Sequence, residues 1–233
     1  MDNDKFWDLQ QLRELVAESG GAERVLLLKP LLQSVGGKYD AARFHMSEAA
    51  SVFEDFYQKE EVPVTTAIKA LFSNGEDREK FYFACLKYEA HLVAAGYVLH
   101  SVSDIIAHVI VRALELEYAE DDRVKLQGLT RLLSHGRLRD RVVALCGLVE
   151  YRYLQDFVNI NKHMSLVFAN YHISTPPGSE GRHGVRFQAF DIDGRHHKEK
   201  WGQDLARDFE RIATAQVEIG REINRYLSHA ASS

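Results

Sequence analysis

Residues 138–163 read LRDRVVALCGLVEYRYLQDFVNINKH, and this stretch decides the class of fold. Val142, Leu145, Cys146, Val149, Tyr153, Phe157 and Ile160 recur at three- and four-residue steps. That spacing turns one face of a helix toward a core, whereas a half-buried strand would alternate at every second residue. Beside the apolar stripe runs a polar one. Measured from Arg152, the residues Asp156, Asn159 and His163 are rotated by about 40°, −20° and 20° at 100° per residue, so all four share a face. The spacing predicts an Arg152–Asp156 pair at i,i+4 and hydrogen bonding between Asn159 and His163 along the same line.

Working upstream, the same period recurs. Residues 5–18 (Phe6, Leu9, Leu12, Leu15, Val16) predict a short helix stopped by Gly20-Gly21, and 22–35 a second one ending at Gly36-Gly37. Pro30 lies inside that second run and is expected to kink or break it. Residues 39–59 follow, then 63–73 with Pro63 as a first helical position, closed by Ser73-Asn74-Gly75. The longest apolar run is 77–118, with Asp77 as a cap and Gly96 in its middle, either a tolerated glycine or a small break. A helix over 122–134 opens at Asp121-Asp122, and His135-Gly136 leads into 138–163.

Downstream of His163 the pattern changes. Leu166-Val167-Phe168 and Tyr171-His172-Ile173 read as extended, and Thr175-Pro176-Pro177-Gly178-Ser179 as a loop. Val185, Phe187 and Ala189 alternate with Arg186, Gln188 and Phe190, Asp193-Gly194 suits a tight hairpin turn, and Arg195–Lys200 returns. A last amphipathic helix spans about 202–228 through Leu205, Phe209, Ile212, Val217, Ile219, Ile223 and Leu227. The predicted fold is mainly α: a helical bundle with a small antiparallel β-hairpin or three-stranded sheet before the last helix. No linker or internal repeat interrupts it, so a single domain is expected over 1–233, with the β insertion at about 165–200.

The composition excludes several classes. With 233 residues, 45% apolar, 12 Phe and 10 Tyr, the chain has ample surface to bury, which rules out intrinsic disorder. Two cysteines, Cys85 and Cys146, in separate apolar contexts do not make a disulfide framework and favour a reducing compartment. No stretch approaches the roughly 18 apolar residues that span a bilayer, and MDNDKFWD has no apolar signal core. The expectation is a cytoplasmic protein without membrane association. Residues 137–233 hold 14 basic and 12 acidic side chains against a whole-chain charge of −5. This permits a local basic patch but not tight binding through many phosphates.

A second polar set, His100, Ser101, Asp104 and His108, interrupts the most apolar helix, with Asp104 and His108 again i,i+4 neighbours. Polar groups on a helix buried all round are paired or face a cleft, so the two sets are expected to meet across a groove or a subunit interface. They form either a structural seam or a site. His91, His100 and His108 turn away from one another and no Glu-x-x-His pair occurs, so no metal is expected. No phosphate-binding glycine loop or G-x-S-x-G motif is present, and neither cysteine has a basic neighbour. No cofactor is expected.

LHSVSD at 99–104 and FVNINKH at 157–163, each on a long helix of an all-α bundle, resemble the HEPN superfamily over roughly residues 77–165. Many members of that group are dimeric, metal-independent ribonucleases of bacterial toxin–antitoxin, phage-defence and stress systems. Their signature is an Arg, usually a polar residue after it, then four to six residues and a His on the same late helix. His163 matches the His and Asn159 loosely matches the polar position. The positions due to the Arg hold Asp156, Phe157 and Val158, and Arg152 lies on the right face but two turns upstream. If the ribonuclease activity is retained, the resemblance implies His163 as acid/base and Arg152 as phosphate stabiliser. With the signature incomplete, the first expectation is a homodimeric, non-catalytic module that binds RNA or a protein through Asn159, Asp156, Lys162, Asp104 and His108. The ribonuclease is the alternative.

Overall fold

The computed structural model describes residues 6–57, 62–118, 124–176 and 181–231. Helix accounts for 73% of it, in seven helices, with a small antiparallel sheet and a hairpin before the last helix. The mainly-α class read from the sequence is what the chain adopts. The helices are α1 (Leu9–Tyr57), α2 (Val64–Leu71), α3 (Gly75–Ala113), α4 (Leu126–Leu129), α5 (Arg137–Gly147), α6 (Val149–His163) and α7 (Gly202–Ala231). The strands are β1 (Ala169–Ser174), β2 (Arg182–Phe187), β3 (Phe190–Ile192), β4 (Arg195–His197) and β5 (Lys200–Trp201).

Of the breaks expected before residue 60, the one at Gly20-Gly21 is present and the one at Gly36-Gly37 is not, so α1 is two helices that meet in a kink at Gly21. Only Gly21 leaves helical geometry inside it, at φ 73° and ψ −177°, a conformation open to glycine and strained for other residues. Gly36, Gly37 and Pro30 are carried within the helix instead of ending it. The predicted 138–163 helix is two helices, because Leu148 between α5 and α6 is extended at φ −64° and ψ 132°. The break resets the phase, and Val149, assigned to the apolar stripe, is 77% exposed. The 122–134 helix shrinks to α4, and the proposed Asp121-Asp122 cap lies outside the described residues, as does Pro177-Gly178-Ser179 of the predicted loop. α3 runs unbroken through Gly96, where an added Cβ would come within 3.0 Å of the Phe209 ring. Where the sequence reading expected no such stretch, α3 is long and apolar enough to cross a membrane by length and composition. Half of that stretch is buried inside the protein.

The chain forms two compact units. The first comprises Met1–Asp40, Val98–Arg152 and Glu210–Ser233. Its core is aliphatic: Leu12, Leu28, Leu99, Ile106, Ile110, Leu129, Leu145, Ile219 and Ile223 are almost fully enclosed. Gln216 is buried among them, its amide donating to Leu99 O (2.9 Å) and Ser103 Oγ (2.8 Å). Trp7 packs onto Gly220 and donates Nε1–H to Asn224 Oδ1 at 3.1 Å.

The second unit comprises Ala41–Tyr97 and Tyr153–Phe209, and it holds every strand. Its core is aromatic, with Phe157, Phe187 and Phe209 the largest fully buried side chains. The sheet order is β1-β2-β5, antiparallel, with Tyr171 opposite Val185 and Arg186 opposite Trp201. β3 and β4 form the hairpin, placing Ile192 opposite Arg195 and Phe190 opposite His197. Asp193 (φ 49°) and Gly194 (φ 74°) both take positive φ, the type I′ geometry that matches strand twist and that an Asp-Gly pair adopts readily.

Candidate functional site

α6 presents its polar residues on two different surfaces. Arg152, Asn159, Lys162 and His163 are exposed, while Asp156 is only 3% exposed. The rotation explains the split. Asp156 stands about 40° from Arg152 toward Ile160, at about 80°, and so lies at the core edge of the stripe. There the hairpin reaches it. Arg195 donates Nε–H to Asp156 Oδ2 at 2.9 Å and Nη2–H to Oδ1 at 2.8 Å, a two-pronged grip, and His197 Nε2 lies 2.8 Å from Oδ2. The expected Arg152–Asp156 pair is therefore replaced by a carboxylate bound to β4.

Burial alone would raise the Asp156 pKa, but the hydrogen bonds and charges of Arg195 and His197 outweigh it and hold the carboxyl below its ordinary value. The His197 ring stacks on Phe190 (centroids 4.7 Å) and meets Tyr153 edge-on at 5.3 Å. Lys200 Nζ sits over the Tyr153 ring at 3.9 Å. Asp156 thus fastens the hairpin to α6 and is spent as a reactive acid.

The other candidates are accounted for separately. Lys162 sits over the Tyr97 ring at 5.4 Å. α6 ends at His163 through Asn161, whose amide donates to Phe157 O (2.7 Å) and accepts Val167 N–H (2.9 Å). After this turn Val167 points inward, while Met164, Leu166 and Phe168 are 69%, 50% and 60% exposed. On α3, Asp104 and His108 are both exposed, so the helix is not buried all round as expected. Asp104 meets His100 Nδ1 at 3.9 Å, one turn in the opposite direction from the predicted partner His108.

Cys85 and Cys146 are free thiols pushed up by burial to about 12 and about 11, far from a thiolate nucleophile at neutral pH. His45 and His91 bring their Nδ1 atoms to 3.0 Å. Among the described residues, however, no group of three or more His, Cys, Asp or Glu is placed to hold a metal.

Sequence reasoning missed Arg195 and His197, whose bonds to Asp156 cross 39 and 41 positions. It also missed Tyr57, Tyr171 and His183, which join in one hydrogen-bonded chain. The Asp193-Gly194 turn was the one local signal toward the first group, since it sets where Arg195 and His197 emerge. Compared with known protein families, curated proteins and solved structures, the chain matches none.

Proposed function

We propose that the chain is a HEPN-like, non-catalytic interaction module that forms a homodimer through the end of α6, in the cytoplasm of a bacterial stress or defence system. One observation carries the reading. Met164, Leu166 and Phe168 stand exposed in a row beside Lys162 and His163. Fully burying one such side chain is worth about 1.5–3 kcal/mol, so three together favour a covered state. A second copy supplies the same three residues in return, as a two-fold interface requires.

The geometry of α6 weighs against the ribonuclease alternative. Along the helix axis Arg152 and His163 are separated by about 16 Å at 1.5 Å per residue, too far to hold one phosphate from one chain. Asp156, between them, is bound to Arg195 and His197. Sedimentation over a range of concentrations tests the reading. Wild type is expected to show a concentration-dependent dimer, and the M164S/L166S/F168S variant a monomer with unchanged helix content. His163→Ala is expected to alter neither mass nor fold. RNA cleavage in EDTA that is lost in His163→Ala would establish the ribonuclease instead. A monomeric wild type that shifts RNA without cleaving it would make RNA the partner.

A further inference from the structure

The second unit contains a cavity of about 680 Å³ that the interface reading does not use. Small residues keep it open: Ala49 and Ala50 on α1, Ala206 on α7 and Gly184 on β2 all line it. At Gly184, with φ 143°, a Cβ would lie 3.2 Å from Gln203 Nε2, so a side chain there would crowd the wall. The rest of the lining is strongly aromatic. The Phe53 ring lies 5.3 Å from Tyr88, 5.6 Å from Tyr171 and 6.3 Å from Tyr57, and all four rings line the cavity.

A directional hydrogen-bond chain runs along this lining. His183 Nε2 lies 2.7 Å from the Val62 carbonyl oxygen, which only accepts, so Nε2 carries the proton. In the neutral imidazole Nδ1 then offers a lone pair, and Tyr171 donates its O–H to it at 2.6 Å. The Tyr171 oxygen accepts from the Tyr57 hydroxyl at 3.4 Å. Burial raises both phenol pKa values, so both stay protonated and able to donate. Fixed at its backbone end, the chain leaves the Tyr57 oxygen with acceptor capacity and its proton already given away.

We propose that this cavity binds a small flat heteroaromatic ring bearing an N–H group, which stacks on the aromatic lining and donates to Tyr57 Oη. The volume is that of a small-molecule site, and aromatic walls favour a flat ring in offset or edge contact. The direction of the chain selects the polar group. A ligand carbonyl would meet an oxygen whose proton is committed, and donating to it would cost either the Tyr57–Tyr171 bond or the reversal of both phenol bonds with a proton added at His183 Nδ1. A ring N–H completes the chain as it stands.

The test titrates the full chain with indole and with 1-methylindole, which keeps the ring and loses the donor, read by ligand-detected NMR. Wild type is expected to prefer indole by about fivefold to tenfold, the net worth of one hydrogen bond. In Tyr57→Phe that preference is expected to vanish through weaker indole binding. Ala50→Trp, at an exposed lining position, is expected to abolish binding of both rings with the melting temperature retained. Failure of either ring to bind wild type, an undiminished preference for indole in Tyr57→Phe, or unchanged binding by Ala50→Trp would overturn the proposal. The Ala50 variant leaves the chain intact, so the test stands even where Tyr57→Phe unfolds.

Discussion

Removing the Asp156 carboxylate by Asp156→Ala deletes three hydrogen bonds, two from Arg195 and one from His197. A bond to a charged group contributes about 1.5–3 kcal/mol, and breaking a buried ion pair costs about 3–5 kcal/mol. The upper figure is too large here. The Arg195 side chain is 44% exposed and returns to water once the carboxylate is gone, which refunds much of its loss. His197 is 13% exposed and held between Phe190 and Tyr153, so it keeps its place and loses its acceptor. The expected destabilisation at pH 7 is about 2–3 kcal/mol, or roughly 4–12 °C in Tm for a chain of this size.

The acid limb gives a second reading of the same bond. The folded state lowers the Asp156 pKa, so its contribution is fully present above the unfolded value, near 4. It is lost as pH falls from there through the folded value. The stability curves of wild type and Asp156→Ala are therefore expected to converge below about pH 4. Thermal melts at pH 7 and pH 3 measure this, and hydrogen exchange of the 190–197 amides reports whether the hairpin opens. A double-mutant cycle with Arg195→Ala is expected to show about 1–2 kcal/mol of coupling at pH 7. A loss under about 0.5 kcal/mol at pH 7, or a gap unchanged at pH 3, refutes the assignment of Asp156 as the fastener.

Two further predictions concern the first unit. Gln216→Leu is expected to cost about 1–2 kcal/mol in urea unfolding by stranding the Ser103 hydroxyl, and adding Ser103→Ala is expected to restore most of it; a double variant no more stable than the single one would show that the amide acts through packing alone. At Gly220 an added Cβ would fall 2.1 Å from the Trp7 ring, so Gly220→Ala is expected to expel the indole at about 1–3 kcal/mol. Red-shifted Trp7 emission in a Trp201→Phe background reports it. Gly37→Ala, with nothing within 4 Å, is the matched control and is expected to stabilise by about 0.5–1 kcal/mol.

What the sequence made legible was local. The 3.6-residue period located α3, α6 and α7, and Asp193-Gly194 announced its hairpin because the turn type demands positive φ at both positions. Glycine as a stop signal failed at Gly36-Gly37, where a cost of about 1 kcal/mol per residue is smaller than what a long helix recovers by packing. Periodicity failed at Leu148, because one extended residue shifts the phase of everything after it while leaving each half periodic. That error put Val149 in the core stripe.

The site shows the same limit in a sharper form. Spacing placed Asp156 on the right helix and near the right face, and the local rule then offered Arg152 as its partner. An exposed i,i+4 pair is worth about 0.3–0.5 kcal/mol, whereas a two-pronged guanidinium grip on a buried carboxylate is several times stronger. The stronger bond takes the carboxylate wherever the backbone can deliver it. Delivery is set by the β3–β4 register, which puts Arg195 opposite Ile192 and His197 opposite Phe190. Tyr171 and His183 follow the same logic, since they pair with Val185 and Ile173 and so lie as diagonal neighbours on adjacent strands. In a chain of this kind the polar residues of a helix say where a partner is needed. The hairpin turn, read first and counted outward, says which residue arrives.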